Sequence, residues 1–163
     1  MIKVTAQGDW KKCGMLFKAL SVKLYPAFQG RLYEDSKFVV EKMQGHIDRQ
    51  DLDWIPLSDI TVRLKQDEKI YVETGYLRDN IGVRKIKSSK SDVTYFIGAS
   101  PWKTHPASGK KFSEIMAYME YGTATQPGRP LIRPTYEEVK SQFKKEWKEY
   151  LQDLVKGGIH NVW

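Results

Sequence analysis

The apolar positions along the chain fall into alternating helical and strand-like stretches. Met1 to Thr5 predicts a short strand with Ile2 and Val4 on one side. Asp9 suits an N-cap for a helix carrying Cys13, Leu16, Leu20 and Leu24 on one stripe, because a short side-chain oxygen there accepts an otherwise orphaned backbone N–H. Pro26 is expected to kink or break that helix, having no N–H to donate to the preceding turn. A second helical pattern runs through Phe28, Leu32, Val39, Met43 and Ile47. The polar stretch Asp48 to Asp53 then leads to Trp54, Ile55, Pro56 and Leu57. Ser58 or Asp59 could cap another short helix there, with Leu64 and Ile70 included.

The middle of the chain changes period. Asn80 to Ile86 and Asp92 to Ala99 are β-rich runs separated by the polar turn Lys87 to Ser91. Val83 and Ile86 in the first, with Val93, Tyr95 and Ile97 in the second, predict an antiparallel hairpin with one buried face. Pro101 to Lys111 is a basic loop. Phe112 to Tyr121 returns to helical spacing through Ile115, Met116 and Met119, and Gly122 is a helix stop. The last helix begins near Pro134, with Glu137 and Glu138 at its positive end. Its apolar stripe is Val139, Phe143, Trp147, Tyr150 or Leu151, and Leu154, and Gly157-Gly158 is the expected stop. These elements predict an α+β fold: a small antiparallel sheet, the hairpin near 80–99, packed with several helices including a long C-terminal one. The expected organisation is a single domain over 1–163, with a basic hairpin or loop arm at about 78–111.

Charge sharpens that picture. The chain of 163 residues carries a net charge of +7. Between Tyr76 and Lys111 stand eight basic residues (Arg78, Arg84, Lys85, Lys87, Lys90, Lys103, Lys110, Lys111) against Asp79 and Asp92, so this segment holds +6 of it. Pro134 to Lys156 is neutral, with five lysines and five acids. The asymmetry suits a basic face offered to nucleic acid or to an acidic protein neighbour; a solvated lysine-rich hairpin accounts for it equally well. No stretch approaches the roughly 20 apolar residues that span a bilayer, and Cys13, the single cysteine, leaves no internal disulfide. The first residues lack the pattern of a signal peptide, so folding in a reducing cytoplasm is expected.

No catalytic pattern stands out. His46, His105 and His160 are widely spaced, and no paired-cysteine, zinc-helix or glycine-rich phosphate motif occurs. Cys13 on an apolar stripe reads as a small buried hydrophobe. Asp48, Asp51 and Asp53 lack the rest of a calcium loop and read as a polar connection. No enzyme activity, cofactor or metal is expected.

Three segments carry a resemblance. The first is Trp54-x-Pro56-Leu57-Ser58-x-x-Thr61-x-x-x-Lys65. The second is Thr74-Gly75-Tyr76-Leu77-Arg78-Asp79-Asn80-Ile81, followed by the hairpin ending in Ile97-Gly98. The third is Met119-Glu120-Tyr121-Gly122-Thr123, continuing through Pro127-Gly128-Arg129-Pro130-Leu131-Ile132-Arg133-Pro134. In this order, over Trp54 to Leu154, the chain resembles the tail-completion and virion-morphogenesis families of tailed bacteriophages. It departs from their usual pattern at Asn80 (for Ser), Gly128 (for Ala) and Leu131-Ile132 (for Phe-Leu or Phe-Met), and in its long Trp102 to Lys111 loop.

The resemblance implies a structural virion protein that completes the tail or joins it to the head. Its setting would be the neck or the head-proximal end of the tail, reached from the host cytoplasm during assembly. The implied partners are further copies of itself in a ring of about six, the head–tail connector, the tail-tube proteins and, transiently, passing DNA. No membrane partner is implied. The proline-stiffened strap after Gly122 would fix the last helix and lie near a subunit boundary through Tyr121, Arg129 and Arg133, its arginines pairing with carboxylates. Arg84, Lys85, Lys87 and Lys90 would face the lumen or form an arm. A tail terminator that caps tube growth fits the same resemblance. A nucleic-acid-binding accessory protein using the basic 78–111 segment is the alternative from another class.

Overall fold

The structure, a computed structural model, describes residues 10–72, 75–89 and 92–160. The expected first strand, Asp9, Thr74 and Lys90 lie outside the described residues, as do the side chains of Cys13, Leu16 and Leu20. The architecture is α+β, with five helices and a two-stranded antiparallel sheet among the described residues. In chain order these are α1 (Trp10–Arg49), α2 (Asp59–Lys65), α3 (Tyr76–Asp79), β1 (Ile81–Ser88), β2 (Val93–Ala99), α4 (Phe112–Tyr121) and α5 (Ile132–His160).

Pro26 does not end the first helix; α1 runs through it for 40 residues. The hydrogen bond that proline forfeits is the one to the Val22 carbonyl, and Val22 is exposed, so water can take that bond. Gly157 and Gly158 likewise do not stop α5, which continues to His160. Glycine permits a helix stop without imposing one, at a cost of about 1 kcal/mol relative to alanine. Ser58 does cap α2: its Oγ accepts the Thr61 N–H at 3.3 Å. Ile70 falls outside that helix and is buried, while Leu64 inside it is exposed.

The two long helices pack antiparallel. Phe38 meets Phe143 with ring centroids 6.0 Å apart, and Phe28 meets Trp147 at 5.9 Å. Between them the Trp147 Nε1–H donates to Asp35 at 2.7 Å, and Arg31 bridges Asp35 and Glu146. The hairpin lies along the other side of α1. Its register pairs Val83 with Ile97 and Lys85 with Tyr95, so the expected face of Val93, Tyr95 and Ile97 is the one turned inward. Tyr33 stacks on Tyr95 at 5.6 Å, and near the hairpin tip the Tyr25 and Ser88 hydroxyls share a hydrogen bond. A bulge between Lys85 and Lys87 throws Ile86 out of the pleat, leaving it 63% exposed rather than on the buried face.

The core gathers where α1 ends. Met43 and Ile47 pack with Ile70, Tyr71, Leu77, Ile81, Ala99, Phe112, Met116 and Leu131. Each fully buried aliphatic side chain there contributes about 1.5–3 kcal/mol. Gln50 carries the turn out of α1 at φ 53, and its side chain holds the backbone of Ile70 in both directions: Oε1 accepts the N–H at 2.7 Å and Nε2 donates to the carbonyl at 2.8 Å. This lock sets Tyr71, which adopts φ 67, into the core beneath Trp54, their rings 5.1 Å apart. A bulky residue in that conformation costs roughly 1–2 kcal/mol, offset here by burial and a hydrogen bond described below.

Candidate partner-binding surface

The segment from Glu120 to Pro134 is a clip built from tight local geometry. Gly122 ends α4 at φ 79, and a Cβ there would stand 2.7 Å from the Gly128 N. Only glycine avoids both the strain and the clash. The chain reverses through Thr123 N–H to the Gln126 carbonyl (2.8 Å), and the Arg129 N–H returns to the Met119 carbonyl (2.6 Å). The Glu120 carboxylate then accepts three successive N–H groups, from Leu131 at 2.7 Å, Ile132 at 2.9 Å and Arg133 at 3.0 Å. Pro134, next in line, has no N–H to satisfy, so the orphan donors at the start of α5 are accounted for. Glu120 from the preceding helix thus does the work expected of Glu137 and Glu138.

The clip is bolted to the Trp54 segment. Trp54 Nε1–H donates to the Pro130 carbonyl at 2.6 Å, and the Tyr71 hydroxyl to the Arg129 carbonyl at 2.6 Å. Burial pushes the Tyr71 phenol far above its ordinary value, helped by the nearby Glu120 charge, so it stays a donor. The Arg129 guanidinium runs the other way: Nε donates to the Ile55 carbonyl at 2.7 Å and Nη2 to the Pro56 carbonyl at 3.0 Å. Arg129 is 5% exposed, and two of its three nitrogens are spent within the chain. Arg133 and Tyr121 stand at the surface, Tyr121 85% exposed. Tyr118, Ile132 and Tyr136 are exposed on the same helices. Tyrosines and arginine of this kind are the side chains that protein interfaces favour.

Beside the clip lies a groove of about 700 Å³. Leu57, Ile70, Leu77, Ile115 and Met119 supply its apolar wall, and Lys65, Lys110, His105 and Arg129 also line it. No aspartate or glutamate does.

The predicted basic arm divides. Arg78 is consumed by Asp48, Nε donating at 2.7 Å and Nη2 at 2.6 Å, and this bond holds the Asp48 carboxyl below its ordinary range. Lys87 pairs with Asp92 across the hairpin end. Lys85 stands opposite Tyr95 on the strand face turned toward α1, exposed at its edge. Arg84 is on the opposite face, its guanidinium 3.6 Å from the centre of the Trp102 ring. The loop that brings Trp102 there is compact, closed by His105 N–H to the Lys110 carbonyl and Phe112 N–H to the Lys103 carbonyl. Arg84, Lys85 and Lys87 therefore do not form one face, and Arg129 and Arg133 differ in burial.

Sequence reading passed over a charged cluster at the end of α1. His46 is buried, with Nδ1 2.6 Å from Asp51 and Nε2 3.0 Å from Glu138 of α5. Hydrogen bonds from His46 and then Arg49 lower the Asp51 carboxyl, and Lys42 chiefly lowers that of Glu138. Asp48 and Asp51 are thus engaged with basic partners. Among the described residues no group of His, Cys, Asp and Glu is arranged to hold a metal. No helix among them is long and apolar enough to cross a membrane. No protein-family model, curated protein or solved structure matches the chain.

Proposed function

We propose that this chain is a non-catalytic structural subunit of a tailed-phage virion that completes the tail or joins it to the head. The observation that carries the reading is the convergence of the resemblance segments. Trp54, Ile55 and Pro56 of the first bond directly to Arg129 and Pro130 of the third, and Leu77 of the second packs with Leu131 in one core. Trp54, Tyr71, Glu120 and Arg129 serve as braces, and what they brace is an exposed surface of Tyr121, Ile132, Arg133 and Tyr136. A ring of about six such subunits closes by repeating one modest heterologous contact. Its place would be the neck or the upper end of the tail, against the connector and the tail-tube proteins.

Electron microscopy of lysates from a phage or prophage lacking the gene tests this directly. Full heads beside separate tails of normal length are the expected result. Tails of irregular, extended length would assign the terminator role instead. Normal numbers of intact, infectious particles would overturn the reading.

One observation favours a nucleic-acid-binding role as the second reading. Trp102, 59% exposed, lies under the Arg84 guanidinium, the pairing of aromatic and cation that single strands and phosphates exploit. That role requires a steeply salt-dependent DNA affinity that Arg84→Ala with Lys85→Ala and Lys87→Ala greatly weakens.

A further inference from the structure

We infer that the groove beside the clip is a docking site for an acidic, apolar segment of another protein of the assembly, with Arg129 as its charge anchor. The inference rests on the structural reading above only for the source of that protein; the recognition chemistry stands on the groove itself.

Arg129 is the decisive feature. As a residue it is only 5% exposed, yet its hydrogen-bond partners are two neutral carbonyls and no carboxylate lies within ion-pairing distance among the described residues. A buried cation without a counter-charge is costly. Nη1, the nitrogen not used on Ile55 or Pro56, has no protein partner among the described residues. Arg129 lines the groove, so a carboxylate entering it would supply the missing charge and accept a hydrogen bond from a fixed, preorganised donor.

The rest of the lining agrees in sign and polarity. Lys65 and Lys110 add two cations, neither in an ion pair among the described residues: Lys65 reaches its own turn at Lys69, and Lys110 lies over Tyr118. The wall of Leu57, Ile70, Leu77, Ile115 and Met119 is apolar. A phosphate backbone would leave that wall in contact with charge, whereas a peptide can place leucine or phenylalanine on it and aspartate or glutamate at Arg129 and the lysines. Tyr121, Ile132, Arg133 and Tyr136, the surface given above to the ring contact, do not line the groove, which leaves it for a different protein.

The test is selection of a random peptide display library on the immobilised full chain, followed by binding of synthetic, fluorescein-labelled winners. Enriched peptides are expected to combine acidic with bulky apolar residues. Their affinity should fall about tenfold for Lys65→Glu with Lys110→Glu, a pair that enters no ion pair among the described residues, with circular dichroism checking that the variant is folded. Glutamine in place of each acidic residue of the peptide should weaken binding by a similar factor. Arg129→Lys, which keeps the charge but loses the fork, should weaken binding further if circular dichroism shows the variant folded. Failure to enrich any peptide, a consensus without acids, or affinity indifferent to the double charge reversal would overturn the inference. So would displacement of the peptide by duplex DNA with the same sensitivity to that reversal, which would give the groove to nucleic acid. Self-association that the double reversal abolishes would give it to a second copy. None of these outcomes depends on the phage phenotype, so the groove and the virion role can fail separately.

Discussion

The carboxylate of Glu120 accepts the backbone N–H of Leu131 at 2.7 Å, and through it the end of α4 closes the beginning of α5. Two further N–H groups, of Ile132 and Arg133, converge on the same side chain. A single side chain therefore couples the two helices, beside the Arg129 N–H to Met119 carbonyl bond that holds the strap to α4.

Glu120→Ala should lower unfolding free energy by about 2 kcal/mol, since it leaves helix N-terminal donors without their charged acceptor. Glu120→Gln, which keeps one acceptor oxygen, should cost about half as much. Urea unfolding followed by circular dichroism measures both, and equal losses would mean that the oxygen glutamine keeps contributes nothing without the charge.

Tyr71→Phe removes the hydroxyl that satisfies the Arg129 carbonyl while keeping the ring on Trp54. The expected loss is about 1–2 kcal/mol, the cost of one buried acceptor left unpaired. Because burial holds this phenol protonated, the wild-type chain should show no tyrosinate absorbance from Tyr71 below the pH at which it unfolds in alkali.

Two glycines should respond in opposite directions to alanine. At Gly122, φ 79 and the contact with the Gly128 N make Gly122→Ala destabilising by about 2 kcal/mol or more. Gly30 lies inside α1 with open space around its Cβ position, so Gly30→Ala should stabilise by roughly 0.5–1 kcal/mol. Thermal unfolding of the two variants beside the wild type settles both signs.

Acid should weaken the packing of the α1 end against its neighbours. Asp48 is lowered chiefly by its Arg78 hydrogen bonds, Asp51 by His46 and then Arg49, and Glu138 by Lys42. A carboxyl whose folded value is lowered gives stability that is complete above its unfolded value and lost as pH falls through the folded one. The loss is thus expected below about pH 4, and it should be modest because all three groups are solvent-accessible. Asp48→Asn should be less stable than wild type at neutral pH and equal to it at strongly acidic pH. A stability gap that persists into acid would show that the Arg78 ion pair is not its source.

Much of the fold was legible because it follows from local rules. The hairpin followed from alternation at Val93, Tyr95 and Ile97, and α4 from helical spacing closed by Gly122. Ser58 declared its cap through its own hydroxyl, and Pro134 marked the start of α5 through its missing N–H. Where local rules failed, they named a preference that the surroundings overrode. Pro26 gives up a bond on an exposed helix face, where the loss is small, and Gly157 lacks anything that forces a left-handed turn. Ile86 was grouped with Val83 in the first strand, but the odd spacing of three residues puts the two on opposite faces, and beside the bulge Ile86 is exposed.

The candidate surface divides along the same line. Composition alone located the excess positive charge in Tyr76 to Lys111, and the residues of the strap could be named from their prolines and arginines. Which charges are spent was decided only by tertiary structure: Arg78 on Asp48, Lys87 on Asp92, Arg129 on the carbonyls of Ile55 and Pro56. Lys87 and Asp92 meet across one hairpin turn, but the partners of Arg78 and Arg129 lie 30 to 74 residues away, and no periodicity or local turn chemistry relates them. Sequence determines what each residue can donate, accept or bury within a turn or two of itself. Burial, counter-charge and the groove depend on which distant segments the core brings side by side, and that is a property of the packed chain alone.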